Sequence, residues 1–241
     1  MAFNYSPKIV TDDLVLCLDA ANPRSYPGSG TIWSDISRRG NSGVLTNGPT
    51  YNSANGGSIV FDGIDDFSTS GNIGTINAFT ISIWFYPTSV TNYENPIDCN
   101  YNFNGIAGNV GPRLEMYDIG RLVWVWSGDT TGNSNFYVSD ALESGLISNT
   151  WHNAVISRSS DNSILNYLDG ELKTTAITTF GTPSATFVNV FSNVTIGKGF
   201  SIGGAERIYT GRVANTLIYN RALSLPELNQ NYNATRTRFG L

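Results

Sequence analysis

Three carboxylates crowd the run FDGIDD, as Asp62, Asp65 and Asp66, and Asp19 closes an apolar run in the similar context LDA. Oxygen-rich loops of this kind hold Ca²⁺, which takes about 6–8 oxygen ligands from carboxylates, Asn side chains and backbone carbonyls. The same aspartates also cap turns by accepting backbone N–H groups, and the sequence leaves both roles open. Aromatic residues supply a second chemistry. Trp124 and Trp126 alternate with Val123 and Val125, so both indoles leave one face of a strand, and Tyr93, Tyr101 and Phe103 fall in the loop-rich stretch just before them. Rings of this type stack on the apolar C–H faces of sugars while Asn and Asp take the hydroxyls, although large aromatics also fill the cores of β-sandwiches.

Catalytic constellations are missing. Hydrolysis of a sugar polymer needs two carboxyl groups facing one bond, and one strand can supply them two positions apart. None of Glu94, Glu115, Glu143, Glu171, Glu206 and Glu227 has an Asp two residues later. A hydrolase would need carboxylates brought together from different strands, for instance Glu115 and Asp118 with a distant partner. The one histidine, His152, excludes a His-rich metal site, and no G-x-S-x-G elbow, Walker loop, G-x-G-x-x-G or EF-hand loop occurs. The sequence therefore reads as that of a non-enzyme.

The elements that must position these residues are β-strands. Short apolar segments rich in Val, Ile, Phe, Tyr and Trp recur between Gly-, Asn-, Ser- and Pro-containing breaks, the rhythm of an antiparallel all-β sandwich. Strands are expected at Leu14–Asp19, Ser58–Asp62, Phe79–Pro87, Arg113–Tyr117, Arg121–Trp126, Trp151–Arg158, Ile164–Leu168, Val194–Gly197 and Val213–Tyr219. Asp118-Ile119-Gly120 and Asp169-Gly170 offer tight hairpin turns. The stretch from Asn22 to Asn55 is too apolar at Trp33, Ile36, Val44, Leu45 and Tyr51 for a tether and reads as an ordered excursion. A short helix follows Ser224, an N-cap with Glu227 three residues on and Pro226 early.

At 241 residues the chain suits one large all-β domain, here taken as 1–241, with docking arms at 1–9 and 235–241. Fourteen Lys and Arg against 19 Asp and Glu leave a net charge of -5, which argues against nucleic acid and anionic membranes as partners. No apolar run approaches the ~20 residues that span a bilayer, and no signal peptide is read at the start, so no membrane insertion is expected. Cys17 and Cys99 lack metal or redox spacing and are expected as free, packed thiols.

Taken in order, FTISIWFYP from Phe79, WHNAVISR from Trp151, LNYLDGELK from Leu165, VTIGKG from Val194 and GRVANTLIYNRALSLPELNQNYN from Gly211 resemble the successive motifs of concanavalin A-like, laminin-G-like jelly rolls. The opening segment, SIVFDGIDD and the ending NATRTRFGL are similar to the version found in virion proteins of tailed phages. The resemblance implies a two-sheet jelly-roll sandwich with a short C-terminal helix. It also implies a virion surface protein, a capsid decoration or tail- and fibre-associated subunit made in the host cytoplasm. Such a protein would have capsid or tail subunits and cell-surface glycans as partners, and would form a homo-oligomer or array on the particle. Carbohydrate would bind at Tyr93, Tyr101, Phe103, Trp124 and Trp126. If Ca²⁺ binds, Asp19, Asp62, Asp65 and Asp66 are its ligands, and Arg236, Arg238 and Phe239 would dock on a neighbouring subunit. The alternative is a purely structural cement without glycan binding.

Overall fold

β-Branched and aromatic residues at alternating positions give each strand two faces, and the pairing of those faces sets the architecture. The computed structural model describes residues 7–90, 93–99, 111–117, 120–127, 136–139, 143–181, 189–200 and 205–241. Among them, eight strands form one antiparallel sheet in the order Glu171–Thr174, Ile164–Leu168, His152–Arg158, Phe79–Pro87, Thr210–Tyr219, Ser58–Asp62 and Thr50–Asn52, with Leu14–Asp19 also paired to Thr210–Tyr219. Ten strands form the second, in the order Ile177–Phe180, Phe136–Ser139, Arg121–Ser127, Arg113–Met116, Glu94–Asp98, Thr195–Ile196, Phe67–Ser70, Gly43–Thr46 and Ile32–Trp33; Glu143–Ser144 also pairs with Arg121–Ser127.

The inner faces of the two sheets meet in one core that runs from Leu16 and Leu18 through Ile81, Ile83 and Phe85 to Leu114, Trp124 and Ile218. Strand periodicity dictates which side chains enter it. In Arg121–Ser127, Leu122, Trp124 and Trp126 face inward, whereas Val123 and Val125 form a small cluster with Val138 outside the core. Both indoles do share one face, but that face is the core. Trp124 and Trp126 have no exposed surface, and Trp126 stacks on Tyr137 with centroids 5.8 Å apart, so neither can serve as a sugar platform.

The expected strands are present, with small shifts at some ends, and the Asn22–Asn55 excursion is ordered. It contributes three short strands and buries Tyr26, Trp33 and Leu45 in the core. In the second hairpin, Asp169 and Gly170 both take positive φ, 54° and 82°, and a Cβ at Gly170 would lie 2.5 Å from the Tyr232 ring. Glycine is thus demanded by both the turn and the helix packed over it.

The C-terminal helix α1, Leu225–Thr235, starts at Ser224, whose backbone N–H and hydroxyl donate to the Glu227 carboxylate at 2.8 and 2.7 Å. It lies on the outer face of the eight-stranded sheet, where Leu228 packs with Cys17, Val155, Tyr167, Leu217 and Tyr219. A 3₁₀ turn, Arg236–Phe239, continues along that face. Phe239 is 9% exposed and stacks on Trp84 at 4.2 Å, and Arg238 donates to Asp19 at 2.9 Å and reaches the carbonyls of Asn55 and Gly57. The expected docking arm is therefore a strap on its own sandwich, with Arg238 and Phe239 spent within the chain. Arg236 donates to Asn233 in the same segment. At the other end, residues 1–6 lie outside the described residues; Lys8 and Val10 are laced to α1 through Gln230 and Asn231.

Candidate functional site

With α1 and the 3₁₀ turn on one sheet, the outer face of the ten-stranded sheet is the place to look for function. Alternation along Arg113–Met116 sends Leu114 and Met116 into the core, and Arg113 and Glu115 to the opposite face with Tyr117 just beyond the strand. Asp98 sits directly opposite Arg113 on the neighbouring strand. A short hairpin, Lys198–Phe200 paired with Glu206–Ile208, packs on Glu94–Asp98 and delivers Arg207. Its middle residue must be small, since a Cβ on Gly199 would come within 2.7 Å of Asn95.

These elements build a buried ionic floor. Arg113 Nε meets Glu115 Oε1 at 2.6 Å, and Glu115 Oε2 accepts from Arg207 Nη1 at 2.7 Å and from the Tyr117 hydroxyl at 2.8 Å. Glu115 has no exposed surface and Arg113 only 3%. Burial alone would raise the Glu115 pKa, but the guanidiniums of Arg113 and Arg207 outweigh it and hold the carboxyl below its ordinary range. Burial likewise disfavours the Arg113 charge, and Glu115 and Asp98 reverse that effect. Desolvation, then the Glu115 charge, pushes the Tyr117 phenol to about 12, so it stays a neutral donor.

Above the floor, Tyr93 is 47% exposed and meets the Tyr117 ring edge-on at 5.4 Å. The Arg207 guanidinium lies over both rings, 5.0 Å from the Tyr93 centroid and 5.3 Å from that of Tyr117, and exposed Arg121 lies 5.5 Å from Tyr117. The arrangement offers a half-open aromatic surface with guanidinium donors beside it, the ingredients for holding a polar ring ligand. Of the five aromatics expected to bind carbohydrate, only Tyr93 is seen on this face, because Trp124 and Trp126 are core and Tyr101 and Phe103 lie outside the described residues. Arg113, Tyr117, Arg121 and Arg207 were not expected. Arg113-x-Glu115-x-Tyr117, with charges alternating against apolar residues in a strand, is the signal that marks an outward polar face.

Neither acid–base chemistry nor a triad is assembled among the described residues. Glu115 is clamped as an anion and cannot give a proton to a leaving group, and its suggested partner Asp118 lies outside the described residues. His152 holds the Asp169 carboxylate at Nδ1, 2.8 Å away, while Nε2, the atom a nucleophile would face, sits 3.0 Å from the Ile147 carbonyl oxygen. Asp169 also accepts the Asn153 amide at 2.7 Å, so the pair fixes the hairpin turn beside the strand.

Asp62, Asp65 and Asp66 do come together, with one carboxylate oxygen from each within 4.8 Å of the others. Asp62 Oδ1 accepts the Ile64 and Asp65 amides at 2.8 and 3.4 Å, and Asp66 Oδ2 accepts the Asp62 amide at 3.1 Å. Burial, and then the charges of Asp62 and Asp65, raises the Asp66 pKa against the pull of that amide. The hard oxygen donors suit Ca²⁺, which would relieve the repulsion. Asp19 is not one of this group; its carboxylate is turned to Arg238 and to the Ala21 amide.

Comparison with known proteins agrees with this architecture. Residues 50–229 match the family model of the concanavalin A-like lectin/glucanases superfamily. The chain belongs to that superfamily. No curated protein matches the sequence. Among solved structures, this superfamily member resembles domain 4 of an extracellular arabinanase from Geobacillus stearothermophilus, solved with arabinotriose (TM-score 0.65, 14% identity, covering 91% of this chain and 98% of that one). It also resembles Trypanosoma rangeli sialidase (TM-score 0.66, 16% identity, 98% of this chain and 36% of that one) and the receptor binding domain of botulinum neurotoxin type G (TM-score 0.63, 15% identity, 91% and 51%). The chain thus spans about half of the toxin domain and about a third of the sialidase. The fold is shared by enzymes and binding domains, so function must be argued from the site.

Proposed function

We propose that this chain is a non-catalytic glycan-binding protein of a phage particle surface, and that it takes sugar on the outer face of the ten-stranded sheet. The observation that carries the glycan reading is the exposed Tyr93 ring set beside Tyr117, Arg121 and Arg207 on a rigid ionic floor. A platform fixed before binding loses little side-chain freedom when a ligand arrives. The arabinotriose complex of the similarly folded arabinanase domain adds support. The particle setting rests on the likeness of the FDGIDD region and the NATRTRFGL ending to tailed-phage virion proteins. Capsid or tail subunits are then its neighbours, in a homo-oligomer or surface array. Ca²⁺ at Asp62, Asp65 and Asp66 is part of the same proposal.

The test is a glycan array with the purified chain and with Tyr93→Ala, each in Ca²⁺ and in EDTA. Specific signals that Tyr93→Ala removes without changing the melting temperature support the reading. A blank array favours the second reading, a structural cement, which the burial of Trp124 and Trp126 already favours. Gold-labelled antibody on phage particles that carry the protein tests the setting, and absence of label from the particle surface would end it.

A further inference from the structure

We infer that the glycan bound at this face carries a carboxylate, taken by the guanidiniums of Arg121 and Arg207 while the sugar ring lies on Tyr93. The inference rests on the glycan reading above and names the chemical class of its ligand. Among the described residues, Arg113, Arg121 and Arg207 face Glu115 and Asp98 across this surface, and Lys198 is paired with Glu206 at 2.8 Å. One positive charge is left over, on a chain whose net charge is -5. An anionic ligand is repelled by most of the protein and drawn to this patch.

The geometry identifies where that charge is available. Arg113 is buried and satisfied by Glu115 and Asp98, so it belongs to the floor. Arg207 donates one η nitrogen to Glu115 and lies over the Tyr93 ring, which leaves its other η nitrogen without a carboxylate among the described residues. Exposed Arg121 touches the Tyr117 ring and has no described carboxylate within ion-pair distance. A guanidinium fork matches the two oxygens of a carboxylate, and Arg beside aromatic rings is already desolvated on one side. Tyr117, with its hydroxyl held by Glu115, fixes the orientation of both cations.

Calorimetric titration of the full chain with three ligands of one backbone, a neutral oligosaccharide, its uronate and its O-sulfated form, tests the assignment. The uronate should bind about tenfold tighter than the neutral sugar, the size of one charge-assisted hydrogen bond, and the advantage should shrink between roughly 0.05 and 0.5 M salt. Arg121→Gln should abolish the advantage of the uronate over the neutral sugar, each measured on the variant itself, and leave the melting temperature unchanged. Equal affinity for neutral sugar and uronate overturns the inference while the glycan site stands. Equal affinity for the sulfated form overturns the choice of a carboxylate. Failure of all three to bind overturns the inference together with the reading on which it rests.

Discussion

Glu115 accepts three hydrogen bonds from Arg113, Arg207 and Tyr117 while fully enclosed, so its loss strands a charge. Glu115→Ala should destabilise the fold by about 3–5 kcal/mol, because buried Arg113 keeps its charge without its main partner; urea unfolding measures this. A loss under 1 kcal/mol would mean that water reaches the cluster. The Asp62–Asp66 turn yields a second expectation. Added Ca²⁺ should raise the melting temperature and EDTA should reverse it, with Asp65→Asn blunting the response; identical melts in both would remove the ion. These two sites differ in legibility. FDGIDD is contiguous and its geometry follows from the sequence, whereas Glu115 and Arg207 are 92 positions apart and only the fold brings them together.

Strands with strong alternation, and the Ser224-Pro226-Glu227 helix start, declare themselves because local patterning and local hydrogen bonding define them. Two-residue strands such as Ile32–Trp33 exist only through pairing and leave no local pattern. The direction of a strand's faces is equally silent: alternation says that Trp124 and Trp126 point together, and the opposing sheet decides that they point inward. The terminal segment is the plainest case. Arg-Thr-Arg-Phe reads as an exposed arm, yet Trp84, Trp151 and Asp19 form a receptor for it within the chain. Phe239→Ala should therefore cost on the order of 3 kcal/mol, seen as a lowered urea midpoint, by opening a cavity against the two indoles. An unchanged midpoint would return the segment to service as a free arm.

The two sheets are also tied by a polar contact whose strength depends on pH. Glu94 in the ten-stranded sheet accepts the Thr210 amide, at the start of a strand of the eight-stranded sheet, at 2.9 Å. It is 1% exposed, and burial, offset in part by that amide, raises its carboxyl from 4.5 to about 7. The folded chain thus holds this proton after the unfolded chain has released it. Stability from Glu94 is fully present below pH 4.5, falls as pH rises, and is lost above about 7, a change of up to about 3 kcal/mol. Glu94→Gln should flatten unfolding free energy over that window, and a wild-type profile that stays flat there would place the charge of Glu94 in water.

Thr210–Tyr219 pairs with Phe79–Pro87, Leu14–Asp19 and Ser58–Asp62, so the middle of the eight-stranded sheet is made only after all three partners have been synthesised. Leu14 finds Tyr219 across almost the whole chain. Until ribosomes pass that point, three earlier strands wait with open edges, and closure of so long a loop is slow. A nascent chain halted before Thr210 would be sticky rather than half-built, which makes translation speed through Thr210–Tyr219, and the chaperones that meet the waiting strands, a determinant of yield.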